Sequence, residues 1–239
     1  MRLQNLFCSF SIAGLMLLSS TGAFATPLTA GNCVGQSTVS CPGTLDIFSG
    51  SAGTFLAGVT APMTGVNAGG SPTLYTGVLT SAVYRNGGGT LDFYYQFANA
   101  SSSLDSISRL TNTSFAGFLT NVGYRTTDID GAAGNVYNGV TVNFVAGTKP
   151  PSYADRQASG TVGFTFGSGS LGIAPGETSN ILVIKTNAMM WTTGSTSTLN
   201  GAIATTSTFA PAACDTPEPA TMALMGFSLI GLAAFRRKF

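Results

Sequence analysis

Apolar side chains in the middle of this 239-residue chain recur at every second position, and this spacing constrains the fold more than any other feature. One such run covers residues 91–98, where the alternate positions are Leu91, Phe93, Tyr95 and Phe97. Successive side chains of a β-strand point to opposite faces, so the run predicts a strand with one buried face. Residues 140–145 and 161–166 show the same alternation and predict two further half-buried strands.

The segment 181–184 is a continuous apolar run, which predicts a strand buried on both faces. Shorter apolar stretches predict further strands at 45–48, 74–84, 106–110, 115–119 and 203–209. Glycine-containing turn signals, such as Asn138-Gly139 and Asn200-Gly201, separate them, and no long helical pattern intervenes. These features predict an all-β fold, an antiparallel β-sandwich over residues 26–210.

The chain is unusually poor in charge, since only 8% of its residues are Asp, Glu, Lys or Arg, against about 25% in typical soluble domains. A hydrophobic content of 44% nevertheless provides enough apolar surface for a folded core, which argues against disorder. Between residues 26 and 235, nine acidic residues outnumber six basic ones. Without a basic patch for phosphates, nucleic acid is not expected as a partner.

The first 25 residues have the order of a secretory signal peptide. Arg2 supplies the charged start, residues 15–18 are apolar, and Ala23 and Ala25 form an Ala-x-Ala cleavage signal. We expect export and cleavage after Ala25. The alternative is an uncleaved N-terminal anchor.

The C-terminal end also has three ordered parts. Pro217, Glu218 and Pro219 close a linker at 211–219, and an apolar stretch at 220–235 is followed by the basic cluster Arg236, Arg237 and Lys238. Sixteen helical residues span roughly 24 Å, slightly less than the ~30 Å hydrocarbon core of a bilayer. We therefore expect residues 220–239 to form a single transmembrane helix. Its basic end should lie on the cytoplasmic side of the inner membrane, with the rest of the chain outside.

This tripeptide, apolar stretch and basic cluster resemble the sorting tail of PEP-CTERM proteins. The segments 91–125 and 175–188 are also similar to blocks of such surface proteins, which imply no enzymatic activity. The resemblance implies processing by an exosortase, a membrane-bound cysteine protease or transpeptidase that recognises Pro217, Glu218 and Pro219. It further implies a Gram-negative, exopolysaccharide-producing bacterium, transient membrane anchoring, and a final place on the cell surface or in the extracellular (biofilm) matrix.

Export to an oxidising compartment favours a disulfide between Cys33 and Cys41, which are close in sequence. Cys214 would then be the odd cysteine of the mature chain. A long-range bridge from Cys214 to either of them, and free buried thiols, stay as alternatives.

Candidate chemistry is sparse, because the chain has no histidine to serve as a general base or transition-metal ligand. Asp128 and Asp130 are a weak candidate pair for Ca²⁺, and a polar turn is the alternative explanation of this segment. No cofactor is expected. A carbohydrate-binding platform would draw on five aromatic side chains: Tyr94, Tyr124, Tyr137, Tyr153 and Trp191.

The sequence therefore predicts an exported protein with a structural or adhesive β domain and no catalytic activity. The first alternative is a module that binds polysaccharide, with exopolysaccharide as its partner. The second is a secreted glycoside hydrolase that uses two opposed carboxylates, for instance Asp92 or Asp155.

Overall fold

The alternating segments form strands of two face-to-face β-sheets. The computed structural model describes residues 27–35, 41, 43–129 and 134–214, and this part contains fourteen strands. All of them belong to one compact unit, Met16–Ala212. Of the second unit, Met1–Leu15 with Ala213–Phe239, only Ala213 and Cys214 are described.

The first sheet, here named the covered sheet, has six strands. In spatial order they are β2 (Asp46–Ile47), β7 (Thr120–Arg125), β12 (Ile181–Thr186), β5 (Leu91–Asn99), β4 (Thr73–Arg85) and β3 (Thr54–Val66). Every neighbouring pair is antiparallel except β2 and β7, which run parallel over two residues.

The second sheet, here named the exposed sheet, also has six strands, all paired antiparallel. In spatial order they are β1 (Cys33–Gly35), β10 (Tyr153–Arg156), β11 (Val162–Thr165), β6 (Arg109–Asn112), β13 (Met190–Asn200) and β14 (Ala202–Ala212). A separate hairpin consists of β8 (Asn135–Tyr137) and β9 (Val140–Val142), joined at Asn138-Gly139, where both residues have positive φ. Two consecutive positive-φ residues are the requirement of a type I′ hairpin turn, which explains the Asn-Gly pair. The predicted all-β, antiparallel fold is confirmed.

The main core lies between the two sheets and is built from the predicted alternation. Phe93, Tyr95 and Phe97 of β5 are completely buried in it, and so are Val162 and Phe164 of β11. Packing of two inner faces in this way is what gives a β-sandwich its stability.

A second apolar layer covers the outer face of the covered sheet, and here the expectation of one buried face for β5 is wrong. Tyr94 is buried on that face, and its ring packs edge-on against Tyr84 and Phe144 with centroids 5.0 and 6.3 Å away. Val142 at the end of β9 belongs to the same cluster. Burying each such side chain contributes roughly 1.5–3 kcal/mol, so the hairpin and the segment after it are an integral part of the fold.

Gln96 holds the segment after β9 against the covered sheet. Its Nε2 donates to the carbonyl oxygens of Val145 (2.8 Å) and Ser179 (2.9 Å), and its Oε1 accepts from the Val145 amide (3.0 Å). The segment passes so close to the sheet that a Cβ on Gly147 would lie 2.0 Å from the Ser179 carbonyl oxygen. A polar residue in the alternating pattern thus binds backbone rather than water.

Several strand predictions need correction. Residues 115–119 form a turn rather than a strand, because the chain reverses there between β6 and β7. The strand expected at 106–110 is displaced to Arg109–Asn112, and the one at 45–48 shrinks to two residues. The continuous run 181–184 is confirmed as doubly buried within β12.

The domain also ends later than predicted. Strand β14 continues through Pro211 to Ala212, so the linker predicted from residue 211 begins no earlier than Ala213. Proline lacks an amide hydrogen, but β14 is an edge strand and needs ladder bonds on one side only. In the described part of the chain, no helix is long and apolar enough to cross a membrane. The predicted transmembrane helix and signal peptide fall outside the described residues.

Candidate functional site

Many hydroxyl side chains lie on the outer face of the exposed sheet. Burial alternates along β13, where Thr196 and Thr198 point into the core and Ser195 and Ser197 point away from it. We name this surface the hydroxyl face, with the members Thr111, Thr165, Ser195, Ser197, Thr205 and Ser207.

Hydrogen bonds run across the hydroxyl face from strand to strand. The Ser197 and Thr205 hydroxyl oxygens are 2.8 Å apart, and those of Thr113 and Ser195 are 2.9 Å apart. The Thr111 hydroxyl donates to the Ser197 carbonyl at 3.5 Å. These bonds link hydroxyl groups of β13 to those of β14 and of the chain around β6.

One ion pair lies on the same face. The Arg109 guanidinium donates Nη1 and Nη2 to the two Asp155 carboxylate oxygens at 2.5 and 2.8 Å, and Nη1 also donates to the Thr165 hydroxyl at 2.7 Å. The guanidinium lies directly over Gly163, where a Cβ would come within 1.9 Å of Nη2. Glycine at this position therefore leaves the space that the bidentate pair occupies.

The five candidate aromatic residues do not form one platform. Tyr94 is buried, and Tyr124, Tyr137 and Trp191 are partly buried against the main core. Tyr153 is half-buried on β10, two residues before Asp155 and opposite Thr165 in register, so it borders the hydroxyl face.

The two candidate carboxylates are not opposed. Asp155 lies on the exposed sheet with Arg109, whereas Asp92 is on β5 of the covered sheet and only 2% exposed. Burial raises the pKa of Asp92 from 3.8 to about 6, against the lowering effects of a hydrogen bond from Asn86 and the positive charge of Lys185. A glycosidase needs both carboxylates on either side of one bond, and Asp92 and Asp155 do not meet this condition.

The weak calcium candidate is only half described. Asp128 is exposed, and Asp130 lies outside the described residues. Among the residues that are described, no three Cys, Asp or Glu side chains are grouped so that they could hold a metal ion.

Arg156 is a structural residue that the sequence analysis missed. Its side chain is on the core side of the exposed sheet and 8% exposed, and it joins three separate segments. Nη1 donates to the Leu28 carbonyl (3.3 Å) and the Thr120 hydroxyl (3.0 Å), and Nη2 donates to the Phe115 carbonyl (2.7 Å). An arginine in a four-residue strand carries no sequence signal of this role.

A disulfide joins Cys33 and Cys41, the pair that sequence proximity favours. Cys33 pairs with Asp155 in the exposed sheet, so the bridge closes a loop beside the hydroxyl face. The remaining predicted sites lie outside the described residues: the cleavage signal Ala23 and Ala25, the sorting motif Pro217, Glu218 and Pro219, and the basic cluster Arg236, Arg237 and Lys238.

Comparison with known proteins bears on the C-terminal tail. Residues 215–238 match the family described as the PEP-CTERM protein-sorting motif. No curated protein and no solved structure matches the chain. The chain thus carries the sorting signal of exported, exosortase-processed proteins, which implies transit to the cell surface through a membrane-anchored stage.

Proposed function

Because residues 215–238 carry an exosortase sorting signal, we propose that the β-sandwich is a structural or adhesive domain without catalytic activity, on the cell surface or in the extracellular matrix. The sandwich follows a signal peptide that is removed after Ala25, and the exporting cell is a Gram-negative bacterium that makes exopolysaccharide. In this proposal the domain acts through its surface.

The hydroxyl face is the observation that carries this proposal. The charged residues on the six strands of the exposed sheet are Arg109, Asp155 and Arg156. Arg156 is turned inward, and the other two neutralise each other through a bidentate pair. The outer face thus offers many hydroxyl groups and almost no free charge, which suits contact with neutral hydrated material better than catalysis of a reaction.

A complementation experiment tests the non-catalytic role. Cells that lack the protein would receive the wild-type chain, the Asp92→Asn variant or the Asp155→Asn variant, and matrix cohesion and the amount of surface protein would be measured. We expect both variants to restore cohesion in proportion to their surface amount. Loss of cohesion in both variants at full surface amount would point to carboxylate catalysis and contradict the proposal.

Binding of polysaccharide is the second candidate, and Tyr153 favours it. Its half-buried ring lies beside hydroxyl groups and the Arg109–Asp155 pair. A sugar could stack on the ring and form hydrogen bonds with these neighbouring polar groups. Retention of the mature protein on the cell's own purified exopolysaccharide would be compared for Tyr153→Phe and Tyr153→Ala. We expect the Phe variant, which keeps the ring, to be retained like wild type and the Ala variant to elute early. Equal retention of both would reject Tyr153 as a binding residue.

A further inference from the structure

A cavity of about 300 Å³ lies beside the N-terminal segment of the described chain. Pro27, Leu28 and Thr29 form one wall, Leu119, Thr120 and Asn121 form another, and Arg156 completes the lining. Its size is at the lower end of the range for small-molecule sites. None of the described lining residues is a member of the hydroxyl face.

Among the described residues that line the cavity, Arg156 is the only charged one, so this part of the lining has a positive charge and no carboxylate. Its three bonded partners within the described residues are two carbonyl oxygens and one hydroxyl, all of them neutral. A guanidinium has five N–H donors, and Nε is buried with no partner in the described part of the chain. A buried cation without an opposite charge is costly, and an anion placed in the cavity would lower that cost.

The rest of the lining limits what kind of anion fits. Pro27, Leu28 and Leu119 give the cavity a mostly apolar wall, which disfavours a highly charged anion. A carboxylate has one charge and two oxygens that match the fork of an arginine.

We propose that this cavity binds a small carboxylate ligand through Arg156. The carboxylate would come either from a free organic acid or from a uronic acid residue of a polysaccharide, since both present the same group. This inference is independent of the proposed role of the hydroxyl face, because it uses residues at the edge of the sandwich where the N-terminal segment meets β7.

Leu119 allows a test that does not depend on changing the buried Arg156. Its side chain is 72% exposed at the rim of the cavity, so the domain should tolerate substitution there. Leu119→Glu places a carboxylate side chain at the rim of the cavity, where it competes with the carboxylate ligand for Arg156. Leu119→Gln has the same size and no charge, and is the matched control.

Calorimetric titration of the mature, exported protein would use sodium galacturonate, its trimer and the uncharged methyl ester of the monomer. We expect both acids to bind wild type, and the monomeric acid to bind Leu119→Gln about tenfold or more tightly than it binds Leu119→Glu, the value of one charge-assisted hydrogen bond. In wild type, the ester should bind more weakly than the monomeric acid by a similar factor. Arg156→Gln, where it folds, should lose binding in the same way.

The two acid probes distinguish the sources of the carboxylate. Tighter binding of the trimer than of the monomer supports a polysaccharide chain, and equal binding supports a free acid. Equal binding of the acid and its ester, equal binding by the Glu and Gln variants, or no binding of either acid at millimolar concentration would overturn the proposal. None of these results would affect retention on exopolysaccharide through Tyr153.

Discussion

Replacing Asp92 by Asn should stabilise the protein at neutral pH, although it removes a charged residue from the start of strand β5. Asp92 is 2% exposed on β5, and burial is the main reason that its pKa rises from 3.8 to about 6. One unit of pKa corresponds to 1.36 kcal/mol, so holding this carboxylate ionised in the folded state costs about 3 kcal/mol. Asparagine removes the charge, and its amide oxygen can still accept the hydrogen bond that Asn86 donates at 2.9 Å.

The sign of the pH dependence follows from the raised pKa. Between about pH 4 and pH 6 the folded chain binds a proton at Asp92 that the unfolded chain does not, so the contribution of Asp92 to stability falls as the pH rises through this window. Below the window, wild type and Asp92→Asn should have similar free energies of unfolding. Above it, the variant should be more stable by up to about 3 kcal/mol.

Urea unfolding of wild type and Asp92→Asn at a series of pH values between 3 and 8 measures this difference directly. Taking the difference between the two proteins cancels the titration of all other groups. Asp128→Asn, at an exposed carboxylate, is the control and should change stability by less than about 0.5 kcal/mol at every pH. A difference for Asp92→Asn that is constant with pH, or a variant that is less stable at pH 7, would refute the reasoning.

Four further variants test close packing, the hydrogen bonds of Gln96 and the disulfide. Gly147→Ala should lower the free energy of unfolding in urea by about 1–3 kcal/mol, because its Cβ meets the Ser179 backbone. Gly163→Ala should lower it by about 1 kcal/mol or less, because its Cβ meets only the movable end of the Arg109 side chain. Equal losses in the two variants would contradict this contrast. Gln96→Leu leaves the Val145 amide and carbonyl without their hydrogen-bond partner. We expect the free energy of unfolding to fall by roughly 1–3 kcal/mol and hydrogen exchange of the Val145 amide to become faster. Unchanged exchange at Val145 would mean that Gln96 does not hold this segment in place. The double variant Cys33→Ser, Cys41→Ser opens a short loop and should lower the free energy of unfolding by about 2–3 kcal/mol. Wild type in reductant is the comparison. A loss of stability in the variant but none in reduced wild type would mean that the serine side chains, and not the missing disulfide, cause the loss.

Sequence periodicity predicted the main core well because inward-facing positions such as Phe93 and Phe164 are strongly apolar. It failed for the outer face of β5, where Asp92, Tyr94 and Gln96 have polar groups that are compatible with water. Tyr94 and Gln96 are instead buried under the β8–β9 hairpin and the segment after it, which lie about 40 to 50 residues further along the chain. Asp92 is buried beside Asn86, and local alternation encodes none of these contacts. The long strand β13 was missed for a related reason, since its Ser and Thr residues lack apolar alternation and are held by cross-strand hydroxyl bonds.

The candidate sites divide in the same way. The tail and the disulfide depend on short, local patterns, and both could be proposed from the residues alone. Arg109 meets Asp155 only because β6 and β10 flank β11, with Gly163 between them. The cavity at Arg156 likewise combines three segments that are remote in sequence, so only the fold brings them together.

Intact-mass measurement of the protein from each cell fraction tests the central claim, that the C-terminal tail directs the processing of the exported sandwich and its release from the inner membrane. For wild type we predict a surface or matrix species that begins at Thr26, retains the Cys33–Cys41 bridge and has lost the segment after the sorting motif. The double variant Pro217→Ala, Glu218→Ala should begin at the same residue but keep its tail and stay in the inner membrane. Identical masses and locations for the two proteins, or a full-length wild-type chain in the cytosol, would contradict the account.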